Sequence, residues 1–231
     1  MSKKKIVVLT GAGISAESGI STFRDAGGLW EGHDIMEVAS PQGWTKDREL
    51  VLNFYNLRRA KLPTVKPNAG HLALVRLEEK YDVTVITQNV DDLHERAGSS
   101  NIIHLHGELV KARSTVDPSL VYDWGYKEIA IGEKCEKGSQ LRPHIVWFGE
   151  GVPMYGVAEA FTSRADIVLI IGTSLVVYPA AGLVETAPRG TPVYIIDPNL
   201  PETRPNPYLT KIGEPATIGV PKLVDELLAS V

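Results

Sequence analysis

Residues 6–30 read IVVLTGAGISAESGISTFRDAGGLW, and the rest of the chain is organised around this stretch. Ile6-Val7-Val8-Leu9 is the unbroken apolar run of a strand buried on both faces, and it drops straight into Gly11-Ala12-Gly13, with Ala16 three places on. Positions 11–16 therefore read G-x-G-x-x-A. In that spacing the first glycine permits a tight turn and the second lets main chain approach a pyrophosphate. The small Ala16 lets the next helix pack near its strand, with free N–H groups facing the anion. A dinucleotide is the natural ligand, although a tight strand-to-helix turn without a ligand has the same spacing. The acidic residue that usually follows about 20 residues later, at a second strand end, is missing. Asp25 lies in loop composition, and Glu31, Asp34 and Glu37 follow no β-like run. Instead a second glycine-bearing segment, Gly19-Ile20-Ser21-Thr22-Phe23-Arg24, offers an aromatic ring and a guanidinium to cover what the first loop binds.

With 231 residues and 43% hydrophobic composition, the chain can bury a substantial core as one domain, or one domain with a small insert. A net charge of −4 argues against general nucleic-acid binding, which calls for a basic excess. The longest apolar runs, such as Ile167–Ile171, are far too short to span a bilayer. Lys3-Lys4-Lys5 precede only four apolar residues and read as a solvated strand start, not a signal peptide. A single cysteine, Cys135, rules out an intramolecular disulfide, and the cytoplasm is the simplest compartment.

Further along, residues 45–62 have helical periodicity, with Leu50, Phe54 and Leu57 on one face and Pro63 and Pro67 beyond the end. Tyr55 and Arg58 stand three apart on this helix. Either Arg58 covers an apolar stripe of a surface helix, or phenol and guanidinium together meet a carboxylate, which the Arg fork binds bidentately. A helix over 71–81 leads to the β-branched strand 82–87, which ends in Gln88-Asn89-Val90-Asp91-Asp92. Amides and carboxylates at a strand's carboxyl end are where open α/β sheets place ligand contacts, though Asn89 or Asp91 also suits a helix cap. In Asn101–Glu108, His104 and His106 fall on one side of a short strand. No third ligand has a convincing spacing, so no metal is expected there. A lone His at a strand end, followed by glycine, suits a general base or a structural hydrogen bond. Residues 109–143 read as a loop-rich inserted excursion, and His144–Glu150 as a short strand ending in an aromatic and Gly. The strand ending at Ile171 runs into Gly172-Thr173-Ser174, with donors suited to ribose or phosphate. The last strand, 192–197, ends in Asp197, the ribose-hydroxyl candidate that the first half lacks. A helix over 220–228 closes the chain.

Taken together, GAGIS, GISTFR, TQNVDDLH, HLHGEL, VWFGE, GTSLVVYPAA and the strand ending in Asp197 resemble the sirtuin family of NAD-dependent protein deacylases, in register from about residue 6 to 228. The resemblance implies an α/β fold, a Rossmann-like parallel sheet with helices on both faces plus a smaller inserted domain. The large domain is expected over about 1–32, 68–108 and 150–231, and the small one over 33–67 and 109–149, with an acyl-lysine of a partner protein bound in the cleft between them. It implies NAD as co-substrate. The acyl oxygen attacks the nicotinamide ribose, nicotinamide leaves, and His106 as general base activates a ribose hydroxyl, giving free lysine and O-acyl-ADP-ribose. Asn89 shares the catalytic site. Gln88 touches the ribose, Asn89 and Asp91 line the nicotinamide pocket, Phe23 covers the reacting face and Arg24 lies near the phosphates. Gly172, Thr173 and Ser174 hold phosphate or adenosine ribose, and Ala216 packs by the adenine. The same resemblance places Gly11, Ala12, Gly13, Ile14, Ala16, Glu17, Trp30 and Val90 along the dinucleotide, with Asp197, Pro198 and Asn199 at its ribose end. Val146, Phe148, Gly149 and Val177 clamp the substrate.

Three departures from the family pattern matter. Ser21-Thr22 stand where Pro-Asp is common; this, with Tyr55 and Arg58, resembles the class that removes succinyl and malonyl groups, whose Tyr-x-x-Arg pair receives the distal carboxylate. Sirtuins usually hold a structural zinc on two Cys pairs, but this chain has Cys135 alone and Ser114 where a Cys is expected. One thiolate does not make a tetrahedral site. Held by packing only, residues 109–143 are expected to be less stable than the rest. Asp197, finally, stands where Asn is usual and adds negative charge near the dinucleotide. A deacetylase in which Tyr55 and Arg58 are structural, an ADP-ribosyl transferase, and an NAD-sensing binder of acylated proteins are the competing readings.

Overall fold

A computed structural model describes residues 3–21, 29–30, 32–175 and 177–230. The chain opens with strand β1 (Lys5–Thr10) and a single helical turn α1 (Gly13–Ala16). The short pair β2 (Leu29–Trp30) and β3 (His33–Asp34) leads into α2 (Ile35–Val38), α3 (Pro41–Lys46) and α4 (Arg48–Lys61). Next come α5 (Ala69–Leu77), β4 (Asp82–Thr87), α6 (Leu93–Ala97) and β5 (Ile102–His104). Strands β6 (Gly107–Ser114), β7 (Val121–Asp123) and β8 (Leu141–Ile145) form an antiparallel sheet in the order β7-β6-β8. After α7 (Tyr155–Thr162) come β9 (Ile167–Ile171), β10 (Val193–Ile196), β11 (Leu209–Ile212) and α8 (Ala216–Ala229).

The main sheet has six strands, all parallel, in the order β11-β10-β9-β1-β4-β5. Chain direction across the sheet reverses between β4 and β9 on either side of β1, which opens a crevice at the carboxyl ends of those strands. The pleat explains the continuous apolar run of β1. Ile6 and Val8 pack with Leu74, Leu77, Val220 and Val224 of α5 and α8, while Val7 and Leu9 pack on the opposite face with Ala158 of α7 and Leu183. A separate core joins α2–α4 to the antiparallel sheet, through Val38, Trp44, Val51, Phe54 and Tyr55 against Leu109, Ala112, Ile145 and Trp147. Asn56 of α4 makes a reciprocal pair with Ile129, its Nδ2 donating to the carbonyl at 3.1 Å and its Oδ1 accepting from the amide at 2.9 Å.

The structure departs from the periodicity reading in several places. The helix expected over 45–62 is two helices, because Asp47 is extended (φ −151°) and its carboxylate caps α4 by accepting from Leu50 N. Within α4, Leu50 and Phe54 pack on the second core as expected, but Leu57 is 73% exposed and leaves the packed face. That face runs through Val51, Leu52, Phe54, Tyr55 and the fully buried Arg59, whose Nε donates to the Leu109 carbonyl at 2.7 Å. Helix α5 starts at Ala69, two residues early, on a capping box between Asn68 and His71. The excursion 109–143 carries strand structure, and the strand expected over 144–150 ends at Ile145. β10 is followed by the edge strand β11, and α8 begins at Ala216, four residues ahead of expectation.

Candidate functional site

The carboxyl ends of β1 and β9 interlock. Gly11 N donates to the Ile171 carbonyl at 3.0 Å and Gly13 N to that of Gly172 at 2.9 Å. Any Cβ on Gly13 would lie 2.6 Å from Gly172 Cα, and Gly172 itself sits at φ +61°, where a side chain would meet Ile14 N at 2.4 Å. The glycines are thus demanded first by the meeting of two loops. The helix after them is one turn, shorter than the spacing suggested, so Ala16 supports a turn and not a long packed helix. The Ile14 side chain is fully buried in the sheet core, which leaves only its main chain facing the crevice.

A polar network ties these ends to β4. Thr10 Oγ1 donates to Thr87 Oγ1 at 2.8 Å, and Thr87 Oγ1 accepts from Asn89 N at 3.0 Å. Gln88 Nε2 donates to Thr173 Oγ1 at 3.1 Å, so the β4 and β9 ends are cross-braced. Asn89 Nδ2 reaches the Gly11 carbonyl at 3.1 Å and Ser15 Oγ at 3.2 Å. Ser15 Oγ in turn donates to Asp91 Oδ2 at 3.0 Å, and Asp91 Oδ1 accepts from Leu93 N at 3.1 Å, which gives Asp91 a capping role too. Burial pushes the Asp91 pKa up to about 6, against the pull of its Leu93 and Ser15 hydrogen bonds. Ser15, buried and bonded to both, joins this network and was passed over by the sequence reading; its signal was its place inside the GAGIS motif itself.

His106 lies in the turn between β5 and β6, so it does not share a strand with His104. Its Nδ1 is 3.1 Å from the Gln88 carbonyl. A carbonyl only accepts, so the proton sits on Nδ1 and Nε2 keeps its lone pair. Burial lowers its pKa, opposed by the Gln88 bond, so the ring is neutral at pH 7. His104 instead places Nδ1 3.3 Å from the Asn89 carbonyl and Nε2 2.6 Å from Glu95 Oε1. Ligand atoms of Glu95, His104 and Glu108 lie within 4.8 Å of one another, and His106 is not among them. Lys111 Nζ stands 2.8 Å from Glu108, which makes this group an ion-pair cluster.

Tyr55 is not on the surface: it is fully buried, and its hydroxyl accepts from Trp147 Nε1 at 3.1 Å. Arg58 lies over the Phe54 ring at 3.3 Å and the Trp30 ring at 4.6 Å, and its Nη1 donates to the Phe54 carbonyl at 3.0 Å. Trp30, expected along the dinucleotide, stands edge-on to Phe54 and Tyr55 at 5.0 and 6.3 Å. Val146 N donates to the His106 carbonyl and Phe148 N to that of Ala39, both at 2.9 Å, so the predicted substrate clamp hangs between His106 and the second core. Phe148 is 41% exposed, Gly149 is exposed, and Val177 is half-buried. The Val90 carbonyl accepts from Leu109 N at 2.8 Å.

The remaining expected contacts spread along the crevice. Asp197 directly follows β10, which is shorter than the expected 192–197, and its Oδ1 accepts from Asn199 N at 2.7 Å beside the exposed Pro198. Glu17 holds the start of α8 by accepting from Thr217 Oγ1 at 2.7 Å, next to buried Ala216. Ala12 and Ser174 are half-buried at the β1 and β9 ends. Phe23 and Arg24 lie outside the described residues.

A profile of the Sir2 family matches residues 11–179. The chain belongs to the Sir2 family. A protein of Helicobacter pylori named NAD-dependent protein deacylase is 54% identical over 97% of this chain and 96% of its own length. One of the same name from Bacteroides thetaiotaomicron is 53% identical over 97% and 98%. Among solved structures, a Sir2 homologue bound to ADP-ribose superposes with a TM-score of 0.88 at 41% identity, covering 99% of this chain and 93% of that one. A Sir2 homologue–NAD complex gives 0.87 at 40%, covering 99% and 91%.

NAD is the co-substrate of Sir2 enzymes, and the amide, carboxyl, hydroxyl and imidazole groups gathered at the ends of β1, β4 and β9 fit it. A structural zinc does not fit. Where Sir2 proteins use cysteine pairs, Cys135 Sγ stands 3.3 Å from Ser114 Oγ and 3.1 Å from Ser139 Oγ, and Lys137 Nζ pairs with Asp117 at 2.6 Å. Hydrogen bonds close this knuckle. No helix among the described residues is long and apolar enough to cross a membrane.

Proposed function

We propose that this Sir2 protein is an NAD-dependent protein-lysine deacylase that removes succinyl and malonyl groups as well as acetyl. NAD supplies the ribose that takes the acyl group and the nicotinamide that leaves. His106 Nε2 takes a proton from a ribose hydroxyl, kept neutral by burial and oriented by the Gln88 carbonyl. Asn89 and Asp91, held by Ser15, line the nicotinamide pocket, with Gln88, Thr173, Ser174 and Asp197 along the riboses and phosphates. Phe23 and Arg24 complete the cover. We divide the chain into a large domain (1–32, 68–108, 150–231) and a small one (33–67, 109–149), with acyl-lysine of a protein partner in the cleft between them. The sheet core and the separate α2–α4 core support that division.

The observation that carries the acidic-acyl reading is Tyr55, a fully buried phenol one helical turn from the Arg58 guanidinium. Such a pair compensates a carboxylate that would be costly to bury alone. The engagement of Arg58 with Phe54 favours a second reading, a deacetylase with a structural pair. Measuring kcat/KM on one peptide carrying acetyl-, malonyl- or succinyl-lysine separates them. In Tyr55→Phe/Arg58→Met, desuccinylation falls about 10²-fold, roughly 3 kcal/mol, with deacetylation spared. Equal loss on all acyl groups leaves the plain deacetylase.

A further inference from the structure

An indole N–H is a donor and never an acceptor. The 3.1 Å contact between Trp147 Nε1 and Tyr55 Oη therefore has one direction: Trp147 donates and the phenol oxygen accepts. The hydrogen of Tyr55 must then point elsewhere, and among the described residues no acceptor meets it. Tyr55 is 0% and Trp147 2% exposed, so bulk water does not satisfy it either. A buried donor left unmet is a costly feature unless a ligand atom completes it.

The indole is not free to turn away. Its main-chain N donates to Glu150 Oε2 at 2.8 Å, and Arg142 lies 3.2 Å above its ring while donating to Glu150 Oε1 at 2.7 Å. Trp44 packs on it at 5.6 Å between ring centroids. Arg113 anchors Glu150 from a third strand position at 3.0 Å. Burial, the largest influence, raises the Tyr55 pKa, so its proton stays on the oxygen at any working pH.

We propose that Trp147 is a positioning residue for acidic acyl groups: by filling the acceptor side of Tyr55, it commits the phenol O–H to donate to the distal carboxylate of the acyl chain. The proposal rests on the acidic-acyl reading of Tyr55 and Arg58. It assigns a specificity role to a residue that touches no substrate.

The test compares wild type, Trp147→Phe, Tyr55→Phe and the double variant on one peptide bearing succinyl- or acetyl-lysine. Trp147→Phe keeps an aromatic ring and removes the N–H. The expected result is a rise in KM for the succinyl peptide of about 10-fold, with kcat and deacetylation unchanged. Adding Trp147→Phe to Tyr55→Phe costs nothing further, because the two act through one hydrogen bond. Should Trp147→Phe fail to fold, benzothienylalanine at position 147 carries the same test with the indole shape and no N–H. Unchanged desuccinylation in the Trp147 variants, with Tyr55→Phe impaired, overturns the inference and leaves the acidic-acyl reading standing. Equal loss on both peptides also overturns it, making Trp147 a packing residue. If Tyr55→Phe and Arg58→Met themselves leave the acyl preference untouched, the underlying reading falls, and this inference with it.

Discussion

The Nδ1 of His104 lies 3.3 Å from the main-chain oxygen of Asn89, one residue beyond the Gln88 carbonyl that His106 holds at 3.1 Å. Two imidazoles thus grip two successive carbonyls of the loop that carries the amides of the site. They are in different states. His106 is neutral with one lone pair to spare, whereas His104 also faces Glu95 at 2.6 Å and is favoured as the cation.

For His104 the consequence is a pH-dependent stability. Burial alone would lower its pKa, but the hydrogen bond to Glu95, the charges of Glu95 and Glu108, and the Asn89 carbonyl together raise it. A raised histidine pKa contributes stability that is full below the unfolded value and is lost as pH rises through the folded value. With Glu95 40% exposed, His104→Gln is expected to cost about 1 kcal/mol at pH 6 and little at pH 9. Denaturant melts at the two pH values check this; equal losses at both would remove the ion pair from the account.

His106 carries a sharper prediction. His106→Ala lowers turnover by about 10²- to 10⁴-fold while NAD binding and melting temperature stay near wild type. In the intact enzyme the acid limb of kcat/KM reflects a group below the ordinary histidine pKa. A variant that keeps full turnover would dismiss the ring as base.

Asp91 carries a stability penalty above its folded-state pKa. Its pKa rises from 3.8 to about 6, so the folded state favours the proton and loses stability as pH climbs through 6. Asp91→Asn is therefore expected to stabilise the protein at pH 8 by about 2 kcal/mol, to have little effect at pH 4, and to depress activity at both. Denaturant titration at pH 8 decides it, and destabilisation there would contradict the assignment.

Gly172→Ala forces a Cβ to 2.4 Å from Ile14 N at φ +61°. A loss of about 3 kcal/mol is expected, with NAD affinity falling in parallel because β1 and β9 lose their register. A thermal melt with and without NAD measures both.

Metal removal is the last prediction. Dialysis against a chelator leaves activity and melting temperature unchanged, and Cys135→Ser costs about 1 kcal/mol, the scale of a hydrogen bond and not of a zinc ligand. Stoichiometric zinc in protein purified without added metal would refute this.

Much of this was legible in the chain because it is local. The apolar run 6–9 gave a strand that begins at Lys5, and 82–87 gave β4 to the residue. Gly11, Gly13, Gln88, Asn89, Asp91 and His106 all stand at the strand ends where the crevice opens. What escaped is long-range or mixed in polarity. β11 is four residues at a sheet edge, with exposed Thr210 and Lys211 between half-buried Leu209 and Ile212, so no apolar run marks it. β6 is masked by Lys111 and Arg113, half-buried charged residues on either side of the buried Ala112. The packed face of α4 contains Arg59, a residue that periodicity counts as solvent-facing. Ser15 meets Asp91 from 76 residues away and Tyr55 meets Trp147 from 92. No spacing rule reaches that far.

The reciprocal bond pair between Asn56 and Ile129 has the form of one rung of a β-ladder, made by a side chain. It fastens the helix bearing Tyr55 and Arg58 to residues 109–143, while Asn89, Asp91 and Gln88 are fastened to the sheet. The helix of Tyr55 and Arg58 and the loop of Gln88, Asn89 and Asp91 thus hang on different frames. On the proposed reading, drift in the excursion acts first on the acyl end of the cleft, generation by generation, and meets the amide loop through the Leu109–Val90 bond.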